Sequence, residues 1–176
     1  MPEKFYNVDN IQDDASNREK SPTTYSSEIV RPEDWDKYKT GLMEVEIEAF
    51  SGTGFSEDLL RNLVQDENNF TFMVKEGDKV VGYVNATPHG EDKAYITSIA
   101  VLPSHQGRGI VGTLSSALEQ ELVRQGYLRT CEDANDDNGY ADKIKRHYGN
   151  RVVVYGEPHP SPWGNQRYIE IRLTDQ

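Results

Sequence analysis

A chain of 176 residues with 14 Gly, 8 Pro and 35% hydrophobic residues holds about one domain's worth of sequence and a modest supply for a core. It has no apolar run near the roughly eighteen residues of a membrane span, no leader pattern, one cysteine and four scattered histidines, which argues against a membrane span, an exported precursor, an internal disulfide and a zinc site. A formal net charge of −11, from 19 Lys and Arg against 30 Asp and Glu, disfavours a phosphate backbone as partner and favours a cationic one, so the expectation is a soluble protein of the reducing cytoplasm with no nucleic-acid, membrane or metal partner.

Residues 1–24 are rich in Asn, Asp, Ser, Lys and Pro, with Phe5, Val8 and Ile11 in no sustained period, and read as a flexible arm ahead of a single domain over residues 25–176. Phe5 and Tyr6 leave open that the arm covers part of that domain. A short strand over 25–30 meets Arg31-Pro32-Glu33-Asp34, where proline in the first turn and acids beside the positive helix end predict a helix start. Trp35, Tyr38, Leu42, Val45 and Ala49 recur at three and four and give that helix one core face, broken at Ser51-Gly52-Thr53-Gly54. Ser56 ahead of Glu57 and Asp58 is an N-cap signal for a second helix, with Leu59, Leu60, Leu63 and Val64 on its apolar side. Phe70, Phe72 and Val74 alternate, Glu76-Gly77-Asp78 turns, and residues 80–84 return as the other half of a hairpin. A turn over 88–91 leads to the richest strand, 95–101. Three antiparallel strands therefore follow two helices.

Beyond Pro103 the period becomes helical, with Ile110, Leu114, Leu118 and Leu122 spaced by four until Gly126. Residues 127–131 read as a short strand, Tyr140–Tyr148 as a helix ended by Gly149, and 152–155 and 168–173 as two strands around a proline-rich turn at 158–162. Cys131 reads as a buried small hydrophobe, and Trp163 as a side chain packed over the last hairpin.

One segment carries chemistry: Val101-Leu102-Pro103-Ser104-His105-Gln106-Gly107-Arg108-Gly109-Ile110-Val111-Gly112, between a buried strand and an amphipathic helix. Glycines there let main-chain N–H groups approach an anion, and the helix N-terminus adds partial positive charge, so the segment is a candidate diphosphate cradle. It lacks the Gly-Lys-Ser/Thr ending of an NTPase loop and the spacing of a dinucleotide fold. A turn that only tightens the strand–helix junction is the alternative.

The turn and the order of elements together resemble the GNAT superfamily of acyl-CoA-dependent N-acyltransferases, over about residues 27–173. Gln106 and Gly109 match the first and fourth positions of the family's Gln/Arg-x-x-Gly-x-Gly/Ala motif, with Val111 at the sixth and Gly112 one later. The resemblance implies an α/β fold: a mixed central sheet with antiparallel first strands, a splayed parallel pair at the CoA site and flanking helices. It implies acetyl-CoA as co-substrate and no metal. Ile99, Ala100 and Val101 would meet the pantetheine, and Gln106, Gly107, Arg108, Gly109, Ile110, Val111 and Gly112 the diphosphate. A main-chain N–H at a bulge near residues 99–101 would face the developing oxyanion.

A second family block, Asn-x-x-Ala, is present as Asn138-Gly139-Tyr140-Ala141 with Gly149 at the kept spacing. Asn138, Ala141 and Lys145 join the implied cofactor contacts, although Lys145 stands where the family carries the tyrosine that protonates the departing thiolate. Tyr148, one turn after Ile144, is the candidate general acid, with a packing tyrosine as its alternative. On the fourth strand Thr97 and Ser98 offer hydroxyls that can hold a relay water, and Ser98 is the second candidate catalytic residue. Carboxylates that could serve as base are Glu44, Glu46 and Glu48 on the first helix and Glu132 and Asp133 after the fifth strand. Helical neighbours two apart diverge by about 200°. At most one or two of the first three can face a cleft, and the run otherwise reads as solvated charge. Glu132-Asp133-Ala134-Asn135-Asp136-Asp137 reads as a solvated loop that would attract an ammonium group.

These readings converge on transfer of an acetyl group from acetyl-CoA to a primary amine by direct attack. The acceptor is expected to be cationic, a small molecule or a protein, and the enzyme a monomer or homodimer. A module of the same fold that binds acyl-CoA without turnover is the alternative.

Overall fold

In the computed structural model, which describes residues 25–174, the strands read from the sequence join one eight-stranded sheet. The arm expected over 1–24 lies outside the described residues. In chain order the elements are β1 (Ser27–Ile29), α1 (Trp35–Ala49), α2 (Glu57–Gln65), β2 (Phe70–Glu76), β3 (Lys79–His89), β4 (Lys93–Val101), α3 (Ile110–Arg124), β5 (Arg129–Asn135), α4 (Tyr140–Tyr148), β6 (Val152–Tyr155), β7 (His159–Ser161) and β8 (Gly164–Arg172). Ser56 caps α2 as its position suggests, accepting a hydrogen bond from the Leu59 N–H. No helix among the described residues is long and apolar enough to cross a membrane.

The strand order is β1-β2-β3-β4-β5-β8-β6, with β7 paired to β8. Every neighbouring pair is antiparallel except β4 and β5, which run parallel and pair only from Lys93↔Arg129 to Tyr95↔Cys131. Past Tyr95 the two strands part, β4 continuing to Val101 and β5 to Asn135, so the mixed sheet opens into a wedge at its centre. A register shift marks where the wedge begins: Asn85 pairs Ser98 while Ala86 pairs Ile96, leaving Thr97 as the extra residue of a bulge.

Strand alternation sorts the helices. On β3, Tyr83 reaches Glu46 of α1, while the Cβ direction of Gly82 meets Ile110 of α3, so α1 and α3 cover opposite faces. Leu42, Val45 and Ala49 of α1 and Ile110, Leu114, Leu118 and Leu122 of α3 are buried against the sheet. Asn85 hydrogen-bonds the carbonyl of Leu63, which sets α2 on the α1 face.

Two expectations are corrected. The fifth strand runs to Asn135, so Glu132, Asp133 and Asn135 are buried strand residues and not a solvated loop. The last strand starts at Gly164, preceded by β7 in a tight hairpin, and not at residue 168. In both places polar side chains hide the strand signal, and several of them find partners inside: Asp133 accepts from the Tyr95 hydroxyl (3.0 Å), Arg167 pairs Asp136 (2.7 Å), and Glu170 pairs Lys93 (2.7 Å) and Arg129 (3.0 Å).

Candidate functional site

A cavity of about 260 Å³ opens in the wedge on the α3 and α4 side of the sheet. Ile96, Ile99 and Val101 of β4 form one wall, Tyr140, Ile144, His147 and Tyr148 of α4 the other, and the turn and first residues of α3 close one end. Gly109 is the N-cap of α3 with φ of +80°, a conformation that suits glycine, and a Cβ built there would meet nothing within 4 Å. The first N–H groups of this helix have no intrahelical acceptor and lie at its positive end. Open space over such a turn is what a diphosphate requires.

The turn is fastened on both sides. Gln106 donates its amide to the Val101 carbonyl (3.3 Å) and so ties the turn to the end of β4. His105 is held at both ring nitrogens, by Ser104 (2.8 Å) and by Glu76 at the β2–β3 turn (3.0 Å). Glu76 also accepts from the Tyr25 hydroxyl (3.3 Å) and lies 3.8 Å from Arg108, whose guanidinium donates to the Ser104 carbonyl (2.9 Å). The hydrogen bond from His105 is the main reason the Glu76 carboxyl lies below its ordinary range.

Directly after β4 the N–H of Leu102 bonds the Val81 carbonyl of β3. Alternation then turns the main-chain groups of Ile99 and Val101 toward the wedge, as a pantetheine chain would need. Ala100 is fully buried opposite Tyr83 and does not line the cavity. The bulge is at Thr97, earlier than the 99–101 stretch expected; Thr97 Oγ1 sits 3.0 Å from the Asn85 carbonyl and 2.5 Å from its side-chain oxygen. Ser98 lies on the other face of the strand, fully buried beside the hydroxyl of Tyr83 (3.1 Å).

Among the three α1 carboxylates, Glu44 pairs Lys79 (2.8 Å), Glu48 is exposed, and Glu46 is fully buried, accepting from the Phe55 N–H (2.5 Å) and the Tyr83 hydroxyl. Solvated charge describes the outer two and fails for Glu46. Of the β5 pair, Glu132 faces the cavity beside Tyr140, whereas Asp133 faces the α1 side with Tyr95 and, at 3.5 Å, His159.

Tyr148 lines the cavity as its helical spacing suggested, with its phenol beside Ser115 and Glu119 of α3. Burial, reinforced by Glu119, pushes that phenol well above the ordinary tyrosine range. Tyr140 is also pushed well up, by burial first and then by Glu132. The remaining expected contacts are not brought to the cavity. Asn138 is exposed and accepts from the Tyr140 N–H (2.9 Å), Ala141 is buried behind the helix, Arg108 points to Ser104 and Glu76, and Lys145 is exposed with its ammonium over the Tyr155 ring at 4.2 Å. The sequence reading left out Ile96, Ser115, Tyr140, Ile144 and His147 as lining residues; those on α4 were accessible from its i, i+4 spacing, since Tyr140, Ile144 and Tyr148 share a face.

Residues 32–143 match the family model described as Acetyltransferase (GNAT) family. No curated protein sequence matches the chain significantly. Ard1 from Thermoplasma volcanium superposes with a TM-score of 0.69 at 16% identity, covering 86% of this chain and 99% of that one. The ribosomal-protein-S18-alanine N-acetyltransferase from Escherichia coli gives 0.66 at 17% identity, covering 87% and 96%. An aminoglycoside 6'-N-acetyltransferase solved with coenzyme A gives 0.66 at 11% identity, covering 78% and 92%. At these identities each is a likeness of fold.

Proposed function

The chain belongs to the GNAT acetyltransferase family, and from that premise we propose that it moves an acetyl group from acetyl-CoA to a primary amine. One observation carries the reading: the glycine turn at the N-terminus of α3 opens on the cavity in the β4–β5 wedge. The chemistry of the donor set fits the co-substrate, with main-chain N–H groups for a diphosphate, a strand edge for amides and apolar walls for a thioester.

In this reading Gly107, Gly109, Ile110, Val111 and Gly112 bind the diphosphate through the main chain, and Gln106 holds their turn against β4. Ile99 and Val101 orient the pantetheine along the open strand edge. Ile96, Ile99 and Ile144 exclude water beside the thioester. The Ile99 main-chain N–H, turned by alternation toward the wedge, would stabilise charge on the carbonyl oxygen. Acetyl-CoA, when bound, supplies the acetyl group as a thioester. The raised Tyr148 phenol keeps its proton at neutral pH and donates it to the sulfur. The amine arrives across the wedge from the α1 side, where Thr97, Ser98 and the Asp133–Tyr95–His159 group lie. Asp133 favours a protonated amine there, in keeping with a cationic acceptor.

Lys145, turned away onto Tyr155, supports the second reading, a module that binds acyl-CoA without turnover. Calorimetric titration with acetyl-CoA, followed by a free-thiol assay across an amine panel, separates the two. Saturable binding with thiol release only when an amine is present is expected; binding with none favours the module.

A further inference from the structure

The apex of the wedge carries a carboxylate on the cavity side. β4 and β5 pair for the last time at Tyr95↔Cys131, and the next residue on each strand, Ile96 and Glu132, lines the cavity. The glycine turn lies at the other end, past Val101. Five residues, or about 17 Å of strand, separate Ile96 from Val101. A donor whose diphosphate rests on the turn and whose pantetheine follows β4 therefore brings its acyl end to Ile96 and Glu132.

Glu132 is only 3% exposed and is hydrogen-bonded with the Tyr140 phenol of α4. Burial first, then the charge of Glu132, keeps that phenol protonated, so Tyr140 donates and the carboxylate accepts. Beside this pair Ile96 and Ile144 supply apolar surface. An acetyl methyl ends against the two isoleucines. Each further methylene presses on a carboxylate already almost cut off from water and offers it no hydrogen bond in exchange for the water displaced. A terminal carboxylate on the acyl group meets like charge where screening is weak. Among the described residues no Lys or Arg lines the cavity to offset that second charge.

We propose that Glu132, held in place by Tyr140, sets the donor specificity of this chain, admitting a short neutral acyl group and rejecting longer or acidic ones. The inference rests on the acetyltransferase reading and adds the residue that selects the acyl group. It also separates the two neighbouring acids of β5: Glu132 faces the donor, whereas Asp133 faces the α1 side, from which the amine arrives.

The test compares acetyl-CoA, butyryl-CoA and succinyl-CoA, by kcat/KM for thiol release with one amine and by calorimetric Kd, which needs no acceptor. The parental protein is expected to favour acetyl-CoA over each of the others by about tenfold or more. Glu132→Gln keeps the shape and a partner for Tyr140 while removing the charge, and should narrow the gap to succinyl-CoA by roughly tenfold. Glu132→Val with Tyr140→Phe replaces both hydrogen-bonding partners by apolar groups, a change the fold can take almost neutrally. It should improve butyryl-CoA relative to acetyl-CoA by roughly tenfold, because two methylenes then gain the ordinary benefit of apolar burial. A parental protein that takes butyryl-CoA as readily as acetyl-CoA overturns the proposal. So do unchanged donor ratios in the folded variants, including a uniform loss with all three donors, which is the mark of a purely structural role. If the parental protein binds donors but releases no thiol with any amine, the acetyltransferase reading fails by itself, and the Kd ratios still decide whether Glu132 selects the acyl group.

Discussion

Tyr148 and Tyr140 both border the cavity, and their surroundings separate their roles. The Tyr148 phenol lies against Ser115 and Glu119 on α3, whereas Tyr140 is fixed on the buried Glu132. Tyr148→Phe is expected to lower kcat by about ten- to ten-thousandfold with acetyl-CoA affinity little changed, since a general acid acts in the transition state. Tyr140→Phe should cost much less, and steady-state kinetics on the two variants checks the ranking. Gly109→Val places a β-branched side chain at φ of +80° in front of the anion turn, so acetyl-CoA binding should be lost by calorimetry while far-ultraviolet circular dichroism keeps the parental shape. Some of this site could be read from single residues and some could not. The Gly109 position was legible because a turn ahead of an amphipathic helix has few purposes. Glu46 was legible in principle, since it shares the Leu42, Val45 and Ala49 stripe at helical spacing, but flanking Glu44 and Glu48 make it look like part of a solvated run. Its bond to Tyr83 spans 37 positions and leaves no local mark.

At the scale of elements, the glycine turn proposed to bind the diphosphate is held by a hairpin far away in sequence. Glu76 joins His105, Tyr25 and Arg108, so the β2–β3 turn braces the segment that precedes α3. Glu76→Gln is expected to raise the KM for acetyl-CoA by roughly three- to tenfold with kcat nearly unchanged, because a loosened turn weakens binding without touching the reacting atoms. A fall in kcat at constant KM would contradict the bracing role. The elements that carry this brace were legible from their alternation and turns. Those that close the far side of the wedge were not: β5 continues through Glu132, Asp133 and Asn135, and β8 begins among Asn165, Gln166 and Arg167, residues with weak strand character. Partners for several of them come from distant parts of the chain, Tyr95 for Asp133 and the post-strand carboxylates Asp136 and Asp137 for Arg167 and Asn165, which is tertiary information.

Across the whole molecule, the ends of the central strands are fastened by one carboxylate. Glu170 of β8 accepts from Lys93 of β4, Arg129 of β5 and the Tyr168 hydroxyl (2.8 Å), while Arg129 also pairs Asp92 (2.7 Å). Burial alone would raise the Glu170 carboxyl, but the bonds from Lys93, Tyr168 and Arg129 outweigh it and leave it below the ordinary range. A carboxylate lowered in the folded state stabilises above its unfolded pKa of about 4.3, and that contribution disappears as pH falls through the lowered value. Glu170→Gln should therefore destabilise the fold at neutral pH by about 1–3 kcal/mol, with the gap to the parental protein closing in acid, as denaturant melts across pH will read. The strands so fastened are joined at the closed end of the wedge, from which the path along which an acetyl group would move opens. That transfer is tested most directly by incubating the protein with acetyl-CoA carrying an isotopically labelled acetyl group and a panel of amines, then following the label by mass spectrometry. The account predicts label in an amide of at least one amine, matched one for one by free thiol; thiol released without label reaching any amine, or saturating acetyl-CoA binding with no thiol at all, would contradict it.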